Sequence, residues 1–176
     1  MDRKIKGTRA LTVSAVLCAL GVILLAFGSL LQVLDLTMAA VASFLVIFAV
    51  IELGGKYPFL IYAVTSVLAV LLVPYKTAAL LYLCFAGYYP ILKALLEGNL
   101  PRTWAWVLKI LSFNAGLALM LFLAIKLFSA FEITATWYYF VLPAFSLVFV
   151  VYDVALTRLI TAYVHKWRSR FRFLHK

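Results

Sequence analysis

Charge is scarce in this sequence: only 12% of its 176 residues are Asp, Glu, Lys or Arg, six of them acidic, whereas 67% are hydrophobic. That excludes a soluble globular domain, which has no way to hide so much apolar surface. Cysteine is scarcer still. Cys18 and Cys84 both fall inside apolar runs, with no C-x-x-C spacing and no extracellular loop long enough to need a staple, so a disulfide framework and a thiolate metal site are both excluded. The two histidines, His165 and His175, stand in the C-terminal tail with no carboxylate or cysteine cluster at ligand spacing, and no metal is expected. Gly55-Lys56-Tyr57 lacks the upstream glycine and the following Ser/Thr of a phosphate-cradling loop, which excludes ATP bound in that way. No nucleophile, base and acid constellation of a hydrolase or kinase is present either. The chain reads as a non-enzyme that needs no cofactor. Gly/Ser/Pro-rich and low-complexity linkers are also missing, so residues 1–176 form a single domain.

What is present is a succession of long apolar runs. A helix crosses a ~30 Å hydrocarbon core with about 20 residues, and runs near 8–33, 35–53, 57–74, 77–97, 103–130 and 135–164 meet that length with very short connections. The expected fold is therefore all-α: an integral membrane bundle of about six transmembrane helices. Gly54-Gly55-Lys56-Tyr57-Pro58, Val73-Pro74-Tyr75-Lys76 and Gly98-Asn99-Leu100-Pro101-Arg102 are the clearest breaks, and the least marked is Gln32 to Thr37. The first run is longer than a signal-peptide core and lacks a small-residue cleavage site, so it reads as a retained span.

Orientation follows from the Lys and Arg positions. With the N-terminus inside, fourteen of the sixteen basic residues lie on the inner side, and only Lys76 and Lys126 lie outside. Both termini are thus expected in the cytoplasm of a multi-pass cell-membrane protein. The net charge of +10 becomes a matter of topology and attraction to anionic lipid, not of nucleic-acid binding. The tail, residues 165–176, interleaves basic and aromatic residues and reads as an interfacial anchor.

Polar residues in the spans are costly unless paired or facing a cavity. Glu52, Lys93, Glu97, Lys109, Asp153 and Arg158 fall near the inner helix ends, and Lys93 and Glu97, four apart, share one helical face. They read as ion pairs that fix helix packing. The outer turns carry Gln32, Asp35 and Thr37, then Tyr75, Lys76 and Thr77, then Lys126, Glu132, Thr134, Trp137 and Tyr138. Converging over one bundle, Asp35, Tyr75, Lys76, Glu132, Trp137 and Tyr138, with Asn114 nearer mid-span, form a candidate small-molecule site of a few polar groups and aromatic walls. An aromatic belt with ordinary loop charges is the plainer account of the same residues. Ala86-Gly87-Tyr88-Tyr89-Pro90 predicts a proline kink in the fourth span, with freed backbone groups that neighbours must satisfy.

On the first span Ala15 and Ala19, four apart, make a flat stripe for close helix approach. A six-span chain of this size, basic at both ends, with that Ala-x-x-x-Ala stripe and the acidic Leu34-Asp35-Leu36 start of its second span, resembles the substrate-capture (S) components of energy-coupling factor vitamin transporters. The resemblance implies a subunit that binds a small-molecule substrate from outside. It also implies docking through Ala15 and Ala19 on a transmembrane scaffold subunit, with separate ATPase subunits supplying energy. The chain departs from the family pattern in its short first outer loop and its few outer polar residues. The alternative is a non-transporting scaffold or assembly subunit of similar fold, of the cell-shape or sporulation kind.

Overall fold

The structure, a computed structural model, describes residues 7–128 and 135–167. Among the described residues all regular structure is helical: α1 Thr8–Leu31, α2 Asp35–Glu52, α3 Tyr57–Leu72, α4 Lys76–Leu81, a π-helical segment Tyr82–Ala86, α5 Tyr89–Asn99, α6 Arg102–Phe128, α7 Ala135–Ala162 and a closing π turn Tyr163–Trp167. Five segments are long and apolar enough to cross a membrane: Thr8–Leu31, Asp35–Glu52, Lys76–Asn99, Arg102–Leu123 and Phe145–His165. The sixteen residues of α3 form a shorter apolar helix that rises roughly 24 Å. The elements are those of a multi-pass membrane bundle, and their limits fall within a few residues of the expected runs.

Each connection has a local cause. The chain leaves α1 through Gln32, whose φ of 55° turns it sharply; α2 then begins two residues after Val33. The α2–α3 connection uses Gly54 and Gly55 at φ 63° and 57°, a left-handed pair that side-chain-bearing residues adopt only at a cost. Pro58 in the first turn of α3 forfeits only an N–H that has no partner within the helix.

The chain divides within α6 into two compact units, one ending at Lys109 and the other beginning at Ile110. In the first unit α2 is the central helix: it packs against α1, α3, α4, the π segment and α5, and α1 also lies along α3. Small residues let these helices approach. A methyl group on Gly28 would stand 2.7 Å from Met38 Cβ, and one on Gly21 would stand 3.0 Å from Thr65 Cγ2, so the α1–α2 and α1–α3 crossings are as close as backbones without side chains permit. Leu25, Val46, Ile61, Ala69, Ala78 and Ala79 fill the space between. In the second unit Phe113 of α6 stacks on Phe149 of α7, with centroids 4.6 Å apart and planes inclined by 15°. Thr157 and Thr161 donate to the carbonyls of Asp153 and Thr157 at 2.8 and 2.9 Å, the back-bonding by which a hydroxyl is satisfied in lipid.

Gly28→Ala forces a methyl group against the Cβ of Met38, an atom with no freedom to swing away. Thermal unfolding in detergent is expected to show a loss of about 1–3 kcal/mol. Gly98→Ala, where nothing lies within 4 Å, is the control and is expected to hold stability or raise it slightly.

Candidate ligand site

Three local arrangements in the first unit bear on function. The first ties two turns together. Ser29, fully buried near the C-terminus of α1, donates from Oγ to the Tyr75 carbonyl at 3.0 Å and accepts from the Tyr75 N–H at 2.9 Å. One side chain thus satisfies both backbone groups of a residue 46 positions away, and it brings the α3–α4 turn to the α1–α2 turn. Convergence of these two turns was expected; its agent, Ser29, was not singled out, because a lone serine in an apolar run carries no signal of what it meets.

At this end of the unit lies Asp35, the first residue of α2. It is 8% exposed, its Oδ1 has no hydrogen-bond partner, and no ion pair reaches it among the described residues. The start of a helix favours a carboxylate by about 0.3–1 kcal/mol, far short of the several kcal/mol that removing an ion from water costs. Lys76, expected to serve the same site, is committed elsewhere: its ammonium donates to the carbonyls of Val70 and Val73 at 2.8 and 2.6 Å. Those are carbonyls at the C-terminal end of α3, left without helical partners, so Lys76 caps that helix. Tyr75 keeps a half-exposed side chain at the same end.

The second arrangement is the break in the fourth span. The Gly87 N–H donates at 2.8 Å to the Tyr82 carbonyl, five residues back, and bypasses the Leu83 carbonyl four residues back. The Tyr62 hydroxyl of α3 donates to that Leu83 carbonyl at 2.9 Å. Pro90 follows in the first turn of α5; having no N–H, and with a ring that would press on the Ala86 carbonyl of a regular helix, it is the reason the helix loosens here. The loosened backbone expected here is present, as a π segment whose freed carbonyl is satisfied by a neighbouring helix. Gly87 makes room for it, since a Cβ there would lie 2.6 Å from Tyr62 Cδ2 and 2.8 Å from Tyr82 Cε1. Tyr62 meets Tyr82 and Tyr88 at centroid distances of 6.2 and 6.3 Å, and Tyr82 and Tyr89 are fully buried. Beside this aromatic group, the buried hydroxyls of Thr65 and Ser66 on α3 have no hydrogen-bond partner among the described residues. The adjacent Thr65-Ser66 pair in mid-span was the signal that sequence reasoning passed over.

The third arrangement is at the opposite end. Glu97 accepts from Lys93 at 2.8 Å and also pairs with Lys109 across the α5–α6 connection. Both lysines are buried, and the Lys109 ammonium also lies 5.1 Å from the centroid of the Trp106 ring. The expected Lys93–Glu97 pair is there, with Lys109 as a further member. Glu52, fully buried, ends α2, which packs on the helix that carries Lys93 and Glu97.

The remaining predicted positions fall on other elements. Ala15 and Ala19 are exposed on α1, on the side away from the glycines that pack inside the unit. Asn114 lies in the second unit and donates at 2.9 Å to the Ile110 carbonyl of its own helix. Glu132 lies outside the described residues. Trp137 and Tyr138 belong to α7, and their side chains lie outside the described ones. Among the described residues no group of three or more metal-ligating side chains occurs.

Tyr62→Phe deletes the donor to Leu83 and leaves that carbonyl unpaired, an expected loss of about 1–3 kcal/mol in denaturation of the purified protein. Glu97→Gln removes the anion that the buried Lys93 and Lys109 share. Its cost is expected to be roughly 1–3 kcal/mol by the same measurement, below the 3–5 kcal/mol of a fully buried pair, because the Glu97 side chain is 45% exposed.

A comparison of this chain with protein-family models, with curated proteins and with solved structures finds no match.

Proposed function

We propose that this chain is the membrane-embedded substrate-binding subunit of a small-molecule uptake transporter of the energy-coupling factor type. The observation that carries the reading is the set of unspent polar groups inside an apolar bundle: the Asp35 carboxylate near one end and the Thr65 and Ser66 hydroxyls at mid-depth. Elsewhere in the described helices the serine and threonine hydroxyls of Thr12, Ser14, Ser29, Ser43, Thr157 and Thr161 are spent on backbone carbonyls. Groups left open in lipid are maintained where something else binds them. The substrate would enter from the Asp35 end, which the asymmetry of basic residues puts outside, with both termini in the cytoplasm.

Such a subunit performs no covalent chemistry. Its work is to bind, and to present the α1 face containing Ala15 and Ala19 to a transmembrane scaffold subunit, with ATP hydrolysed by further subunits. The exposure of both alanines supports this, because a small-residue face that does not pack on its own bundle remains open to a partner helix. A second reading, a non-transporting scaffold subunit, is favoured by one observation: Lys76 is used to cap α3, which thins the polar lining of the outer end.

Two measurements separate these readings. A thermal-shift panel of vitamins and related small molecules on purified, monodisperse protein is expected to give at least one hit; a ligand at 100 times its Kd adds about 2.7 kcal/mol. A panel without hits supports the scaffold. The double substitution Ala15→Trp/Ala19→Trp is expected to leave the melting temperature within a degree or two of wild type and to abolish co-purification of partner subunits from native membranes. Undiminished association would remove the α1 docking face from the proposal.

A further inference from the structure

Among the described residues of the first unit, none brings a positive charge to Asp35. α1 carries no charged residue after Arg9, which lies at its far end; α3 and the π segment carry none; α5 carries Lys93 and Glu97 at the opposite end of the unit; and α4 carries Lys76, whose ammonium is held on the carbonyls of Val70 and Val73. These are the described elements that pack most closely on α2. Among the described residues, a carboxylate nine-tenths buried, with an oxygen that no hydrogen bond reaches, has the start of its own helix as its one positive influence.

That influence is far smaller than the cost of burying the ion, so the ionised carboxylate needs a positive partner that no described residue supplies. A cation bound from solution would supply it. The site is placed to receive one, because it adjoins the short turn in which Gln32 and Val33 are exposed, and it shares its end of the unit with the half-exposed ring of Tyr75, held there through Ser29. A carboxylate with an aromatic ring near the mouth of an apolar bundle suits a charged nitrogen more than a hydrated metal ion, which would require several oxygen ligands.

We infer that Asp35 is the counter-ion of the ligand, and that the substrate class of this protein is small organic cations carrying an ammonium group. This rests on the reading of the chain as a binding subunit and names what it binds.

The test pairs charged probes with uncharged isosteres: choline with 3,3-dimethyl-1-butanol, and benzylamine with benzyl alcohol, each titrated by thermal shift into the full-length protein in detergent and, as a second readout, in nanodiscs. At least one ammonium probe is expected to bind ten times or more tightly than its isostere. Asp35→Asn is expected to erase that difference, and Asp35→Glu to retain part of it. Equal binding of charged and uncharged probes, or an ammonium preference that survives in Asp35→Asn, overturns the inference. So does absence of binding by both cations, and the vitamin panel then tells which idea has failed: a neutral or anionic hit leaves the binding subunit standing without its cation site, whereas no hit at all removes both. If Asp35→Asn does not fold, the comparison of each cation with its isostere on the unaltered protein still decides the matter.

Discussion

A backbone carbonyl in hydrocarbon has no water to turn to, and the first unit of this protein is organised around that constraint. At three places where its helices end, begin or loosen, a side chain answers. Lys76 reaches back over the end of α3, Ser29 takes both backbone groups of Tyr75, and Tyr62 takes the carbonyl that the π segment releases. The Lys76 contact closes a local turn, whereas those of Ser29 and Tyr62 join segments 46 and 21 residues apart. Satisfying the backbone and fixing the tertiary arrangement are therefore one act here, and removing such a side chain would do more than lose a hydrogen bond.

The same constraint gives meaning to the exceptions. The hydroxyls of Thr12, Ser14, Ser43, Thr157 and Thr161 bond a carbonyl three or four residues back, the cheapest solution in lipid because it needs no partner helix. Thr65 and Ser66 do not, although both are buried. Nor does Asp35 find a partner. The three exceptions sit in a unit whose other polar groups are tightly accounted for, so a functional reading has to begin with them.

The span limits were legible in the sequence because length and hydropathy are local properties, and so was the Lys93–Glu97 pair, since four residues along a helix is a fixed distance. Pro90 announced the break near residue 86 for the same reason. What escaped was whatever depended on a second helix. A lysine at a turn reads as a free charge until the carbonyls of the preceding helix are seen within its reach, which is how Lys76 came to be placed in a binding site. Ser29, Tyr62 and the Thr65-Ser66 pair gave no sign of their neighbours, and the addition of Lys109 to Glu97 required the α5–α6 connection to fold back. The Ala15-x-x-x-Ala19 stripe was legible as a pattern, but its facing became known only once Gly21 and Gly28 were seen to occupy the opposite, inward side of α1.

The π segment has a further consequence for the phase of the fourth span. A π turn accommodates one residue more than an α-helical turn, so everything after Ala86 is rotated by about 100° from where an uninterrupted helix would carry it. Lys93 and Glu97 lie downstream of that rotation. The extra residue acts as an offset between two halves of one span: the half before it sets its faces against α1, α2 and α3, and the half after it is turned so that Lys93 faces inward while Glu97, one turn on, still reaches the surface. Shortening the span by one residue at this point would leave its length and hydropathy nearly unchanged and would put the wrong side of α5 against α2.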